Sequence, residues 1–138
     1  INSILCILTD PRDYLGDRQL NKLKNKYFVL RNLDEGLKKY VDIALPAAAW
    51  GEYRGTFTNF RGIVQKLEKA FSPLGSAQPL WRWMVKISGH MKKTLQWNSV
   101  DEIFNELSAN YIHFKGVNFN NPDIKPDSKL MESKVING

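Results

Sequence analysis

The chain has 138 residues, of which 43% are hydrophobic and 25% charged, a composition typical of one folded domain and not of a disordered chain. Its formal net charge is +6, and no apolar run approaches the ~20 residues of a membrane-spanning helix. Cys6 is the single cysteine, which excludes an internal disulfide and a cysteine-ligated zinc or iron–sulfur site built from this segment alone.

Apolar runs and helical patterns alternate over the first part of the chain. Strands are predicted at residues 3–8, 27–30 and 41–45, separated by short helical segments at 18–25 and 33–40. This alternation predicts an α/β fold with a parallel sheet and right-handed crossovers, in which ligands bind beyond the carboxyl ends of the strands. Cys6 is expected to be a buried core residue of the first strand. Because that strand begins at the start of the chain and no signal-peptide pattern is present, we expect the sequence to be a piece of a longer chain.

Small polar residues and glycines follow the third predicted strand, in LPAAAWGEYRGTFTNFRGIVQ (residues 45–65). Residues 55–62 are predicted to form a loop whose amides and hydroxyls hold an extended polar ligand at the mouth of the sheet. The alternative is a loop whose side chains satisfy its own backbone, and the residue types alone favour this second interpretation.

Two amphipathic helices are predicted after this loop. The first has an apolar stripe with a basic flank, and the second begins with a capping box in which Ser99 and Glu102 bond each other's backbone amides. The apolar residues of the two helices are Leu80, Met84, Ile87 and Met91, then Ile103, Phe104, Leu107 and Tyr111. Beyond them the chain is polar and contains prolines, so residues 120–138 are predicted to be a linker or tail and residues 1–119 the α/β region.

Side chains with catalytic potential are sparse. The two histidines, His90 and His113, have no partner at metal-ligand spacing, so neither a catalytic nor a metal site is predicted. Residues 61–93 contain seven basic residues against one acid, Glu68. This basic stripe is interpreted as a solvated helix face, with an acidic partner, an anionic cofactor or nucleic acid as alternatives.

The segment VDIALPAAAWGEYRGTFTN...VQ (residues 41–65) resembles the "ADVVLPAA...E..GTFTN.EGRVQ" segment of the molybdopterin oxidoreductase superfamily. That superfamily includes formate dehydrogenases, nitrate reductases and the G subunit of respiratory complex I. Residues 71–81, 99–107 and 111–119 are similar to segments that follow in the family. The resemblance implies a parallel-sheet three-layer α/β domain, present here in part. It also implies that the 55–65 loop lies close to a pterin, with Thr58, Asn59, Arg61 and Gln65 as candidate cofactor-binding residues.

Some positions depart from the family pattern. Residues 8–11, Leu-Thr-Asp-Pro, stand where the family has "GENP", and Arg61 and Ile63 replace the Glu and Arg of "EGR". These departures favour a non-catalytic scaffold portion of a subunit resembling the complex I G subunit, with no cofactor in this segment and iron–sulfur clusters only upstream. Its expected partners are other subunits of an electron-transfer complex and the upstream part of its own subunit. We expect no membrane insertion and a place in the cytoplasm or on the cytoplasmic face of a membrane-associated complex.

Two alternatives stay open. In the first, the chain is part of an active enzyme such as formate dehydrogenase that binds molybdopterin guanine dinucleotide with molybdenum or tungsten. Thr58, Asn59 and Gln65 would then contact the pterin, and Arg61 a phosphate. In the second, the chain is a basic interaction module that binds an acidic protein or nucleic acid through residues 61–93.

Overall fold

The structure, a computed structural model, describes residues 2–115 and 118–120. The chain forms two compact units. The first combines Ile1–Tyr53 with Phe71–Leu95, and the second combines Arg54–Ala70 with the residues from Gln96 onward. The predicted tail at 120–138 lies, apart from Asn120, outside the described residues.

A parallel sheet organises the first unit. Its strands are β1 (Ser3–Ile7), β2 (Asn25–Leu30) and β3 (Ile43–Pro46), in the spatial order β1-β2-β3. The crossovers contain α1 (Asp17–Lys22) and α2 (Glu35–Lys38), and a 3-10 turn precedes α1. The predicted fold class, α/β with a parallel sheet, is confirmed.

The core of this unit lies between one face of the sheet and the two crossover helices. Cys6 and Phe28 are neighbours in the β1–β2 register and are both buried. Leu20 of α1, Leu37 of α2 and Tyr40 pack with them in one cluster. A leucine or phenylalanine side chain of this cluster stabilises the fold by about 1.5–3 kcal/mol when fully buried. The expectation that Cys6 is a core residue is therefore confirmed.

The first of the two predicted amphipathic helices is α3 (Leu80–His90), also in the first unit. The indole Nε1 of Trp83 donates a hydrogen bond to the carbonyl oxygen of Pro46 at 2.8 Å, which ties the helix to the end of β3. Met91 was expected on the packed stripe, but it is the C-cap and is 68% exposed because the helix ends one residue before it.

The second unit contains a hairpin where the sequence predicted a loop. β4 (Gly55–Thr58) pairs antiparallel with β5 (Val64–Leu67), so the prediction of irregular structure over 55–62 was wrong for its first half. The error has a physical reason. Each strand has four residues, too few for an alternating pattern to stand out beside the glycines and threonines.

The last helix, α4 (Val100–Asn110), packs on the hairpin through Phe104, which shares a cluster with Val64 and Phe119. The hydroxyl of Ser99 accepts a hydrogen bond from the amide of Glu102, as predicted. The carboxylate of Glu102 accepts from the amide of Asn98 instead of closing the box on Ser99. Tyr111, predicted on the buried face, is 58% exposed because it caps the helix. Across the described residues, no helix is both long and apolar enough to cross a membrane.

Candidate functional site

A polar cleft of about 290 Å³ lies at the carboxyl ends of β1 and β2 in the first unit. This is the end of the sheet at which parallel α/β folds bind ligands, because the loops that follow the strands there supply the contacts. The cleft is lined by residues that follow β1, residues that end or follow β2, and residues of the α2 N-terminus, namely Leu8, Thr9, Asp10, Leu30, Arg31, Asn32, Asp34 and Leu37.

One residue of the cleft lining, Leu8, has a left-handed backbone conformation. Leu8 directly follows β1 with a φ of 53°, a conformation that disfavours a side chain with a Cβ and suits glycine. Its amide donates to the carbonyl oxygen of Val29 at 2.9 Å, so the strand pairing extends into the turn. The structure therefore keeps a glycine-type turn at the position where the resembling sequences have the glycine of "GENP".

Arg12 joins the two sides of the cleft by bridging two carboxylates. Its guanidinium donates to both oxygens of Asp10, at 3.0 Å from Nε and 2.5 Å from Nη2. The same guanidinium donates to Asp34 at 3.3 Å from Nη1 and 2.6 Å from Nη2. Asp34 is also the N-cap of α2 and accepts from the amide of Leu37 at 2.7 Å. The Asp10–Arg12–Asp34 bridge therefore connects the turn after β1 to the start of α2.

The bridge carries a net negative charge, since two carboxylates surround one guanidinium. The hydrogen bonds from Arg12 hold the pKa of Asp10 and of Asp34 below the ordinary range of an aspartate. The same contacts raise the pKa of Arg12. Both carboxylates are therefore ionised at neutral pH and act only as hydrogen-bond acceptors.

One carboxylate oxygen retains capacity for a ligand. Oδ1 of Asp34 accepts two hydrogen bonds, whereas Oδ2 accepts one, from Arg12, among the described residues. A carboxylate oxygen has about two acceptor sites, so Oδ2 can take a further N–H or O–H donor. Thr9, Arg31 and Asn32 add a hydroxyl, a cation and an amide to the same cleft. The set suits a polar ligand that carries hydrogen-bond donors.

In the second unit, the hairpin contains the residues that the resemblance singled out as candidate cofactor contacts. Asn59 and Ile63 flank a three-residue loop (60–62), and its last residue, Gly62, has a left-handed φ of 75°. The side-chain oxygen of Asn59 accepts from the amides of Arg61 and Ile63, at 2.9 and 3.1 Å. This oxygen satisfies the loop's own backbone, as the alternative interpretation of the sequence had it.

The remaining candidates divide between the faces of the hairpin. Cross-strand partners share a face, so Thr58 lies on the face of Val64, and Gln65 lies on the opposite face with Phe57. Asn59 contacts Gln65, with 3.4 Å between Nδ2 and Oε1. The structure thus brings Asn59 and Gln65 together and separates Thr58 from them.

Sequence reasoning missed the exposed aromatic rings at this hairpin. Phe57 is 56% exposed and Phe60 is 86% exposed, with the guanidinium carbon of Arg61 5.4 Å from the Phe60 ring centre. Rings and a guanidinium presented together suit a flat, anionic ligand. The available signal was the alternation Thr56-Phe57-Thr58, which directs the phenylalanine away from the threonines once a strand is recognised.

The basic stripe does not lie on one element. Arg61, Lys66 and Lys69 belong to the second unit, whereas Arg82, Lys86, Lys92 and Lys93 belong to the first. Two of the seven already have partners: Lys66 pairs with Glu68 at 2.7 Å, and Lys86 donates to Gln78 at 2.9 Å.

The histidines add no metal site to the part of the chain that is described. His90 is exposed at the end of α3, and the side chain of His113 lies outside the described structure. Over the described positions, no group of three or more His, Cys, Asp or Glu residues could hold a metal ion.

Comparison with known proteins places this geometry in context. A family profile described as "Molybdopterin oxidoreductase" matches residues 18–90, just over half of the chain. The F420-dependent formate dehydrogenase 2 subunit alpha of Methanococcus maripaludis is 37% identical over 83 residues, 59% of this chain and 12% of that protein. The F420-dependent formate dehydrogenase subunit alpha of Methanocaldococcus jannaschii is 37% identical over 84 residues, with the same coverage of both chains.

A further relative gives the same result at lower identity. The F420-dependent formate dehydrogenase 1 subunit alpha of Methanococcus maripaludis is 30% identical over 80 residues, 56% of this chain and 12% of that protein. The chain thus spans about an eighth of the length of these curated relatives. The matched residues 18–90 include the α2 side of the cleft and the hairpin.

Proposed function

The chain belongs to the molybdopterin oxidoreductase family, and we propose that it supplies cofactor contacts to an oxidoreductase that uses a pterin with molybdenum or tungsten and acts on formate. The observation that carries the proposal is the similarity to formate dehydrogenase alpha subunits at 37% identity. Formate is the substrate named for those relatives, and it comes to this chain as part of the proposal.

The cleft fits one part of such a cofactor. A molybdopterin guanine dinucleotide presents ring N–H groups and sugar hydroxyls, and these donors suit Oδ2 of Asp34 and the amide of Asn32. The volume of about 290 Å³ is near the lower limit of small-molecule sites, ~300–1,000 Å³, so it suits one ring with its sugar and not the whole cofactor. Arg31 lines the same cleft and offsets the negative charge of the bridge, so the acceptor atoms of the cleft, and not its charge, suit the nucleoside part of the ligand.

The hairpin of the second unit, taken by itself, carries the residues that the resemblance assigns to the cofactor. Arg61 is the residue suited to a phosphate, because its guanidinium is exposed beside Phe60 and needs no change of the loop to bind. Gln65 and Thr58 are exposed and contribute an amide and a hydroxyl from opposite faces. Asn59 acts by shaping the loop, since its oxygen already accepts two backbone amides.

When bound, the metal–pterin centre supplies the electron transfer of the oxidoreductase reaction. The described residues hold and orient the polar edges of the cofactor, and the ionised carboxylates of the cleft fix which edge enters. Iron–sulfur clusters belong to other parts of the protein in this proposal. The partners are the remainder of the same subunit and further subunits of an electron-transfer complex, located in the cytoplasm or on its membrane face.

The second candidate is a scaffold without the cofactor, as in a subunit resembling the complex I G subunit. The observation that favours it is the pair of replacements Leu8 and Ile63. Leu8 introduces a side chain at the mouth of the cleft, and Ile63 is an apolar residue where the family has an arginine. Either replacement removes room or polar contacts that a pterin nucleotide would use.

The deciding experiment measures molybdenum, tungsten and pterin in the natural polypeptide isolated with its partners. Stoichiometric metal and pterin are expected, and their absence from an intact, iron-containing assembly overturns the proposal in favour of the scaffold. The cleft is then tested with Asp34→Asn, which keeps the N-cap but weakens the acceptor. We expect this variant to lose pterin, and the neighbouring exposed carboxylate variant Glu35→Gln, outside the cleft lining, to retain it.

A further inference from the structure

The first unit has four exposed cations on and directly after α3, with no acid beside them in the chain. Arg82 and Lys86 are one turn apart on the exposed side of the helix, and Lys92 and Lys93 follow its end. We call these four residues the α3 basic face. Residues 71–95 contain no aspartate or glutamate. Among the described residues, none of the four cations forms an ion pair with a carboxylate.

The stability of α3 does not account for the first two cations. A helix dipole favours acids in the first turn, whereas α3 has no acid there and has Arg82 as its third residue. Lys86 stands four residues after Arg82, a spacing at which like charges repel each other and destabilise a helix. Both cations therefore weaken the helix that carries them.

The third cation, Lys92, has a backbone conformation that suits glycine. α3 ends as in a Schellman motif, with the amide of Lys93 donating to the carbonyl oxygen of Ser88 at 3.1 Å. Lys92 takes the left-handed position of this motif, and its φ of 57° disfavours any residue with a Cβ. The amide of Leu95 donates to the hydroxyl of Ser88 at 3.0 Å, so the segment with both lysines is held at the helix end. Three of the four cations thus break a local stability rule, which is typical of functional sites.

Two indole rings lie under the cations but are not free to bind a ligand. The guanidinium carbon of Arg82 is 5.3 Å from the Trp81 ring centre. Nζ of Lys86 is 4.9 Å from the Trp83 ring centre. Both rings are half-buried; Nε1 of Trp81 is buried, and Nε1 of Trp83 donates to the carbonyl oxygen of Pro46. Since single-stranded nucleic acid binds by stacking its bases on open rings, this face offers charge without a stacking surface.

The α3 basic face is also short. From Arg82 to the last residue of α3 it extends ~12 Å, at 1.5 Å per residue. In the other segment of the unit, residues 1–53, eight basic residues are interspersed with seven acids, so no positive surface continues from the face. A duplex carries one charge per ~1.7 Å and would run on past the face to meet those acids. A local acidic patch on a protein matches both the size and the sign of the face.

We propose that the α3 basic face docks a local acidic patch of a partner protein, whose carboxylates contact the guanidinium of Arg82 and the ammonium groups of the three lysines. Exposed charges of this kind chiefly accelerate association and fix its orientation. The inference depends on the charges of α3 and not on the cofactor, so it holds whether or not pterin is found.

Zero-length crosslinking tests the contact in the natural polypeptide isolated with its partners. A carbodiimide joins a lysine to a carboxylate only where the two groups touch, and peptide mass spectrometry identifies both sides. We expect Lys86, Lys92 or Lys93 to be joined to aspartates or glutamates of a different polypeptide. Crosslinks only within this polypeptide or to a second copy of it overturn the proposal.

Lysine labelling of the same assembly gives a second readout that needs no variant. Each lysine is compared with itself before and after dissociation in ~1 M salt, where the Debye length is about 3 Å. The three lysines of the face are expected to react at least ~10-fold faster after dissociation, and the exposed Lys22 and Lys24 to change less than about twofold. Equal changes at all five overturn the proposal. Protection that nuclease removes assigns the face to nucleic acid, and protection that detergent removes assigns it to a membrane; either result also overturns the proposal.

Charge-matched variants test the effect on association. One removes three cations of the face, and the other removes three exposed cations of the same unit that pair with no described carboxylate. They are Arg82→Gln with Lys86→Gln and Lys93→Gln, and Arg18→Gln with Lys22→Gln and Lys24→Gln. We expect the first to rebind its partners at least ~10-fold more slowly at low salt, with the difference lost in high salt, and the second to stay within about twofold of wild type. Equal rates for the two variants contradict the proposal.

Discussion

The guanidinium of Arg12 lies directly against Gly36 in the first turn of α2, so a side chain at position 36 would have to displace it. A Cβ built on Gly36 would lie 2.7 Å from Nη1 of Arg12, a distance that side chains essentially never adopt. The guanidinium cannot easily move aside, since Asp10 and Asp34 hold it from both sides. A larger residue at position 36 would therefore shift Arg12 within the bridge.

This contact predicts that Gly36→Ala changes the free energy of unfolding in opposite directions in the presence and in the absence of Arg12. In the wild-type background we expect the variant to lower the free energy of unfolding, because the added methyl displaces Arg12 from its carboxylates. In an Arg12→Ala background the clash is gone, and alanine should stabilise α2 by up to about 1 kcal/mol over glycine. Urea unfolding of the four proteins of this double-mutant cycle measures the coupling. Equal effects of Gly36→Ala in the two backgrounds would show that the bridge does not constrain Gly36.

The same bridge predicts the response of stability to acid. The pKa values of Asp10 and Asp34 are lowered in the folded state relative to the unfolded chain. Their contribution to stability is thus present above the unfolded pKa of about 3.9 and is lost as the pH falls through the lower folded values. We expect Arg12→Gln to be less stable than wild type at neutral pH, with the difference shrinking below about pH 4.

A charge-matched control separates this effect from net charge. Lys24 is exposed and has no ion pair within the described ranges, so Lys24→Gln removes the same charge without touching the bridge. Unfolding free energies from neutral to acid pH should leave Lys24→Gln parallel to wild type. A constant difference between Arg12→Gln and wild type over the whole range contradicts the prediction.

The backbone conformation of Leu8 predicts an unusual order of stability for its glycine and alanine variants. Its φ of 53° disfavours any residue with a Cβ, so Leu8→Gly should be more stable than Leu8→Ala by about 1 kcal/mol. Leu5 is a matched control, since it is 44% exposed against 39% for Leu8 but lies in extended β1. There alanine should exceed glycine by ~0.5–1 kcal/mol. Thermal unfolding of the two pairs gives the comparison, and the same order at both positions would refute the left-handed turn.

Sequence patterns succeeded for apolar runs that end in turns and failed where local geometry decides. The strands β1, β2 and β3 were predictable because apolar runs that end in turns suit a parallel sheet. The Arg12 bridge was not predictable, because Arg12 joins its neighbour Asp10 to Asp34, which is 22 positions further along the chain. Nothing in the sequence distinguishes this arginine from a solvated one. The role of Asn59 was foreseen in kind, since residues of its type bond their own backbone in loops.

The last prediction concerns the core of the second unit, where the periodicity of α4 pointed to Tyr111 and the structure points to Phe119. Phe119 is 1% exposed and packs at 5.8 Å from the Phe104 ring centre, with Arg54 and Lys66 over its own ring. Phe119→Ala should therefore lower the free energy of unfolding by about 3–5 kcal/mol.

Tyr111→Ala removes an aromatic ring of similar size from a position that is 58% exposed, and it should change the free energy of unfolding by less than about 0.5 kcal/mol. Denaturant unfolding of both variants decides between the two residues. Similar losses would place Tyr111 back on the packed face of α4, as its spacing from Leu107 suggested. A large loss at Phe119 alone would show that the unit depends on a residue beyond the helix, which no periodicity within α4 could reveal.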